Sequence, residues 1–357
     1  MDAPKSRLWL LSAYRADSHA AWADALVAGF PEIRWQRFEL PGRHFAWRIR
    51  GNPLSWLDTL SDTPAPDGIV ATSMVDLATI RGLQPHLGRV PSLLYFHENQ
   101  FAYPVSDAQT TSVEAQMVQL YGALAADRVL FNSAYNRTSF LAGVEALLAR
   151  LPDRVPDGIT ERLTAKSGVL PVPIDPIPGN TARDPRLIVW NHRWDYDKAP
   201  ERFAEAMRTL ADGGVEFRLA LLGARPNKPP APLKLLRERL AERIVADGRL
   251  PRAEYRQLLG RAGIAVSTAR HEFQGLGMLE AASAGCVPLV PDALVYPEIF
   301  GVNFRYPDGD IGALAERLQR WLEHGAPPAP DVRQFDRAAL HAHWRAALTF
   351  DECGGAA

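Results

Sequence analysis

Short apolar runs of strand length alternate with longer segments of helical period along most of the chain. Arg7–Ser12 reads as a buried strand, and Ser18–Gly29 as a helix with Ser18 as candidate cap and Gly29 as its stop. Ile33–Leu40 alternates like a strand. Gly68–Thr72, Ser92–Phe96 and Val129–Asn132 are continuous apolar runs, with helical patterns over Val113–Ala126 and Tyr135–Arg150. The rhythm breaks at Leu170–Arg186, which holds five prolines and one glycine. Proline removes a backbone donor and restricts its neighbours, so this stretch predicts a linker. Beyond it the alternation restarts. Leu187–Asn191, Phe217–Gly223, Ile264–Ser267 and Val287–Pro291 read as strands; Pro200–Gly213, Leu233–Ala246, Gly277–Ala284 and Arg337–Thr349 read as helices.

Strands that alternate with helices predict parallel sheets covered on both faces. A length of 357 residues suits two such cores better than one. The expected fold class is therefore α/β, with two doubly wound Rossmann-like domains facing a cleft. The expected limits are 1–172 for an N-terminal, acceptor-side domain, 173–186 for the linker and 187–334 for a C-terminal, nucleotide-binding domain. A C-terminal helix and tail over 335–357 is expected to pack back on the first domain.

Composition narrows the chemistry. The net charge of −1 gives no global basic field, and the two cysteines, Cys286 and Cys353, suggest neither a disulfide scaffold nor a metal cluster. Met1–Leu11 has only the apolar run Leu8–Leu11, short of a secretion signal, and no run approaches the ~20 residues that span a bilayer. A reducing cytoplasm, without integral membrane association, is the expected setting. There is no G-x-x-x-x-G-K-[ST] phosphate loop, no G-x-S-x-G elbow and no G-x-G-x-x-G after the first strand.

Four segments carry candidate chemistry. In His271–Ala281, Glu272 follows a strand and Glu280 lies in the next helix, with seven residues between them. Gly275 and Gly277 stand at the predicted helix start, where free N–H groups and the helix dipole favour an anion. Each carboxylate can accept two hydroxyl hydrogen bonds, as a sugar or ribose diol requires. In Trp190–Pro200, Arg193 and Lys198 offer a planar fork and a point charge for a diphosphate, and ion pairs with Asp195 and Asp197 are the competing reading. In Leu94–Pro104, His97 follows a strand of the first half, with Asn99 beside it and Asn132 after the next strand. Such a His suits a sugar hydroxyl, or it caps a loop. In Arg34–Trp56, five arginines between Arg34 and Arg50 face one acid, Glu39, with aromatics interleaved. Arginine binds phosphates and aromatics stack on unpaired bases, while an amphipathic strand and loop with core aromatics is the structural alternative.

The paired glutamates after a strand, with an Arg and a Lys five residues apart upstream, resemble the retaining GT-B glycosyltransferases of group 1. The strings LYFHENQ, YPV, FNSAYN, HRWDYDKAPE, STARHEFQGLGMLEA and LVYPEIF are similar to the tRNA-queuosine mannosyltransferase family, over about Trp9–Leu348. The resemblance implies a GDP-mannose donor as co-substrate and queuosine-modified tRNA as acceptor, with no other cofactor and no metal. It implies that Arg193 and Lys198 hold the diphosphate, that Glu272 contacts the transferred sugar and Glu280 the nucleotide ribose. The Gly275–Leu276–Gly277 backbone would lie near the phosphates and His97 near the sugar. Arg43, Trp47, Arg48, Arg50, His19, Asn99 and Asn132 are the expected acceptor contacts. The family's Tyr-Gly-Gly-Ser-His run after the first strand is here Tyr14-Arg15-Ala16-Asp17-Ser18-His19, which leaves the acceptor more open than the donor. The alternatives are a GT-B transferase with another nucleotide sugar and a lipid or small-glycan acceptor, and a non-catalytic module that binds nucleotide sugars or RNA.

Overall fold

The structure, a computed structural model, describes residues 6–103, 113–179 and 183–350. Pro104 and Val105 of the YPV string, part of the linker and the tail with Cys353 lie outside the described residues. The chain forms two compact units: residues up to Val172 together with those from Leu340 onward, and Pro173–Ala339.

The first unit holds strands β1 (Arg7–Arg15), β2 (Arg34–Pro41), β3 (Gly68–Thr72), β4 (Ser92–Phe96), β5 (Arg128–Phe131) and β6 (Ser167–Val169). All pair in parallel, in the order β2-β1-β3-β4-β5-β6. β3 and β4 are buried at every position, as strands covered on both faces must be. One face packs Trp9, Leu11, Phe38, Ile69 and Leu94 into the main core. On the other, Tyr95 stacks on Trp22 at 5.1 Å between ring centroids. The helix Arg337–Leu348 completes that face: Trp344 lies 5.0 Å from the Tyr95 ring, and its indole N–H donates to the Pro171 carbonyl.

The second unit holds β7 (Asp184–Trp190), β8 (Arg218–Leu221), β9 (Ile244–Asp247), β10 (Ala262–Val266), β11 (Val287–Pro291) and β12 (Arg305–Tyr306). Their order is β12-β11-β10-β7-β8-β9, again all parallel. Its core gathers Trp190, Trp194, Phe203, Leu219 and Val266. Both sheets are thus doubly wound, with the order reversing between β1 and β3 in one and between β7 and β10 in the other. Ligands in such sheets sit beyond the carboxyl ends of the strands at these points.

Three differences from the sequence reading have local causes. The helix expected over Leu233–Ala246 ends at Arg239, and the chain turns into the edge strand β9. β7 begins at Asp184, inside the expected linker. The strand and loop expected over Arg34–Trp56 is β2 followed by the helix Phe45–Ser55, which carries Pro53 in its interior.

Candidate functional site

The loop after β7 and the loop after β10 meet at the switch point of the second sheet. Thr268, just past β10, donates its hydroxyl to the carbonyls of Lys198 (3.0 Å) and Ala199 (2.9 Å). That tie holds Ala199 at φ +46°, a left-handed conformation that a non-glycine residue adopts only under surrounding constraint. Pro200 then opens the helix Pro200–Asp212 at the position where its missing N–H costs nothing.

This turn aims Lys198 inward. Its side chain is one-tenth exposed, and Nζ donates to the His271 carbonyl at 2.7 Å and sits 3.2 Å from Glu272 Oε2 and 3.3 Å from Asp197 Oδ2. Asp197, almost fully buried, also accepts from Arg193 Nη2 at 3.2 Å. Arg193 is half-exposed and pairs with Asp195 as well. Arg193, Asp197, Lys198 and Glu272 are therefore one continuous ionic chain across the two loops. The candidate diphosphate ligands and the first glutamate come together, and the ion pairs foreseen as the competing reading form too.

Burial would raise the Glu272 carboxyl, but Lys198, His192 and a backbone N–H from Gly275 overcome it, and the group is pulled down to about 2. It is an anion under all ordinary conditions and offers only acceptors. Gly275 caps the helix Leu276–Ser283 at φ +70°, and a Cβ there would press on the Tyr296 ring at 3.1 Å. Gly277, inside the same helix, is closely approached as well. A Cβ would meet the Asn191 side chain at 3.2 Å, so its smallness admits a protein amide. Leu276 opens the helix and is partly exposed. Glu280, on the same helix, accepts from the Tyr255 hydroxyl at 2.9 Å.

His192 and His271 flank this chain. Burial first, and Lys198 second, lower each to about 4. An unfolded histidine titrates near 6.5, so between about pH 4 and 6.5 the unfolded chain binds protons that the folded one does not. Stability then rises with pH through that window, by about 2–3 kcal/mol per histidine. Glu272 acts in the same direction lower down: its contribution is full above its ordinary value and is lost as pH falls toward about 2. We expect the urea midpoint to climb steeply from pH 4 to 6.5 and to flatten above, and His192→Asn to remove part of that climb. A midpoint level across the window would place both imidazoles in water.

In the first unit His97 lies just beyond β4. Its ring packs against His19 (4.4 Å), Trp22 (4.5 Å) and Tyr95 (4.8 Å), and neither ring nitrogen has a partner among the described residues. Burial, with His19 second, holds it well below its ordinary value. His19 is buried and anchored through Nδ1 to the Tyr14 carbonyl at 2.9 Å.

Three expected acceptor contacts have partners within the first unit. Asn99 is fully buried; its amide donates to Asn136 and Ser139 and accepts from the N–H groups of Phe101 and Ala102. Asn132 donates to the His97 carbonyl and accepts from Asn136. Both shape the loop after β4, and Asn99 has its donors and its acceptor oxygen engaged within the protein. Arg50 pairs at 2.6 Å with Asp76, a buried side chain that caps the helix Leu77–Leu83. Among the described residues Arg43 and Arg48 form no such pair, and Trp47 is half-exposed, its ring lying over Gly51. Phe38 and Trp56 are core, as the structural alternative foresaw.

Sequence reasoning missed Thr268, Asn191 and Tyr255, whose roles come only from pairing across the fold. Among the described residues no group of three His, Cys, Asp or Glu could hold a metal ion, and no helix is long and apolar enough to cross a membrane.

Known proteins share this frame. Residues 185–324 match the family described as glycosyl transferases group 1. In overall fold the chain is similar to sucrose-phosphate synthase from Thermosynechococcus elongatus, with a TM-score of 0.73, 14% identity and coverage of 96% of this chain and 98% of that one. It is also similar to an Anabaena protein, HepE, solved with UDP and glucose, with a TM-score of 0.68, 14% identity and coverage of 96% and 99%. These likenesses establish the GT-B fold class. Residues 7–174 match the family described as tRNA-queuosine alpha-mannosyltransferase N-terminal. A Drosophila melanogaster protein named tRNA-queuosine alpha-mannosyltransferase is 33% identical over 331 residues, covering 89% of this chain and 87% of its own. The chain therefore belongs to the tRNA-queuosine alpha-mannosyltransferase family of group 1 glycosyltransferases.

Proposed function

We propose that this enzyme transfers mannose from GDP-mannose to queuosine in tRNA, with retention at the anomeric carbon. Kinship with the Drosophila enzyme supports the reaction, and the ionic chain Arg193–Asp197–Lys198–Glu272 supports the way it is performed. Lys198 is already stripped of water, so its charge acts on a diphosphate at low effective dielectric. Arg193 is half-exposed and its pair with Asp195 is cheap to exchange for phosphate oxygens. As the bond from the anomeric carbon to the leaving oxygen lengthens, both cations stabilise the charge that gathers on the diphosphate. Glu272, fully ionised, accepts hydrogen bonds from hydroxyls of the transferred sugar, and Glu280 from the ribose. The acceptor hydroxyl enters on the face the diphosphate leaves and gives its proton to the leaving phosphate.

Side-chain cations do the neutralising here, so transfer proceeds with a chelator present; activity lost to chelator and restored by Mg²⁺ would overturn that step. The decisive experiment is incubation with GDP-mannose and queuosine-containing tRNA, followed by mass spectrometry of the nucleosides. A hexose added to queuosine supports the reading, and an unmodified nucleoside beside hydrolysed donor refutes the acceptor. A tRNA acceptor supports a cytoplasmic setting.

Arg43 and Arg48, beside the exposed Trp47, are the remaining candidates for contact with tRNA phosphates. Replacing both with Ala should weaken tRNA binding and lower the slope of log affinity against log salt by about 2. An unchanged slope would return this helix to a purely structural role. Arg50 is left intact in that test because it neutralises Asp76.

A further inference from the structure

We infer that Tyr255, from the helix Arg252–Arg261, is the positioning residue that holds Glu280 for the ribose of the donor nucleotide, so that ribose recognition runs through a phenol hydroxyl. The inference rests on the assignment of Glu280 to the ribose. Three elements converge to build the arrangement. Asn191, at the end of β7, donates Nδ2 to the Tyr255 hydroxyl at 3.1 Å and to the Gly277 carbonyl at 2.9 Å. The hydroxyl, its lone pair so engaged, points its proton at Glu280 Oε2 at 2.9 Å. The direction of every bond is fixed, because an amide N–H only donates and a carboxylate only accepts.

Glu280 is largely buried, and burial pushes its carboxyl above the usual range; the Tyr255 hydrogen bond is the foremost influence pulling it back. That bond occupies Oε2. Oε1 has no partner among the described residues and remains for a diol. Asn191 also ties Gly277, so the start of the helix and its carboxylate are set together from the strand that carries the Arg193 loop. A carboxylate left to rotate would spend part of its binding strength on being ordered by the ligand, and a preset one does not.

The test compares guanosine diphosphate with its 2′,3′-dideoxy analogue, and uridine diphosphate with its own, by calorimetry on the full-length protein. The wild type should bind each ribose form at least about 10-fold more tightly than its dideoxy form, as a charged hydrogen bond warrants. Tyr255→Phe keeps the ring and should cut that ratio several-fold while leaving dideoxy affinity unchanged. In the Glu280→Gln background Tyr255→Phe should change the ratio no further, since the two act as a unit. Equal loss of affinity for both forms would make Tyr255 merely structural and overturn the proposal. A ratio untouched by Glu280→Gln would instead overturn the ribose assignment beneath it, as would failure of both ribose diphosphates to bind. Should Tyr255→Phe not fold, Asn191→Ser, which frees the hydroxyl, must lower the same ratio or the proposal falls.

Discussion

Replacing Lys198 with Ala should lower mannosyl transfer by about 10³-fold or more, since loss of a single preorganised donor to a developing charge already costs about 10²–10³-fold. Lys198 does two things at once. It lies between Asp197 and Glu272, both within 3.3 Å. Its removal leaves two carboxylates facing one another with little water to separate them and, in the mechanism proposed above, takes a cation from the leaving group. The resting protein should lose about 3 kcal/mol of stability, within the range for a buried pair broken from one side. Lys198→Arg is the informative companion. It keeps the charge but not the compact ammonium that fits beneath the His271 carbonyl, so stability should recover more than turnover. A near-normal rate for Lys198→Ala, measured as donor consumption with acceptor saturating, would remove this residue from the diphosphate.

The second large effect is expected at Gly223. The loop after β8 crosses the loop after β7 so closely that a Cβ on Gly223 would stand 1.9 Å from the His192 carbonyl oxygen, at φ +89°. Flanking bonds lock the crossing: the Leu222 N–H donates to Trp190, and the Trp194 N–H to Ala224. Backbone has nowhere to retreat. Gly223→Ala should cost about 4 kcal/mol or more, a large part of the 5–15 kcal/mol that holds a typical domain. Gly214 is the internal control, with a similar φ of +73° and open space around it. Gly214→Ala should cost only about 1 kcal/mol, the conformational part alone. Equal melting temperatures for the two variants would show that the crossing is looser than the geometry indicates.

What could be read along the chain were features that depend on near neighbours. Continuous apolar runs such as Gly68–Thr72 and Ser92–Phe96 announce strands covered on both faces, and these strands set the parallel fold. That Arg193, Lys198 and Glu272 meet could be anticipated because charged residues just past such runs stand at carboxyl ends. β9 was not, because Ile244–Asp247 is an edge strand with alternate residues exposed, and its helical neighbour masks it. The tie that Asn136 makes between Asn99 and Asn132, two expected acceptor contacts, was not legible, because Asn99 is distant from the other two in sequence. Nor was the pair of Arg50 with Asp76, which lies 26 residues away. A polar side chain's spare capacity is a property of the assembled neighbourhood, and one dimension does not hold it.

The return of the last helix to the first unit bears on how the molecule is made. Ribosomes deliver the amino end first, yet Trp22 and Tyr95 await Trp344 before their face is closed. The second unit is continuous in sequence and has its whole sheet by Tyr306. During synthesis, then, the half that begins first closes after the second, and a nascent chain that stops between Tyr306 and Trp344 should carry an aromatic surface that invites chaperones.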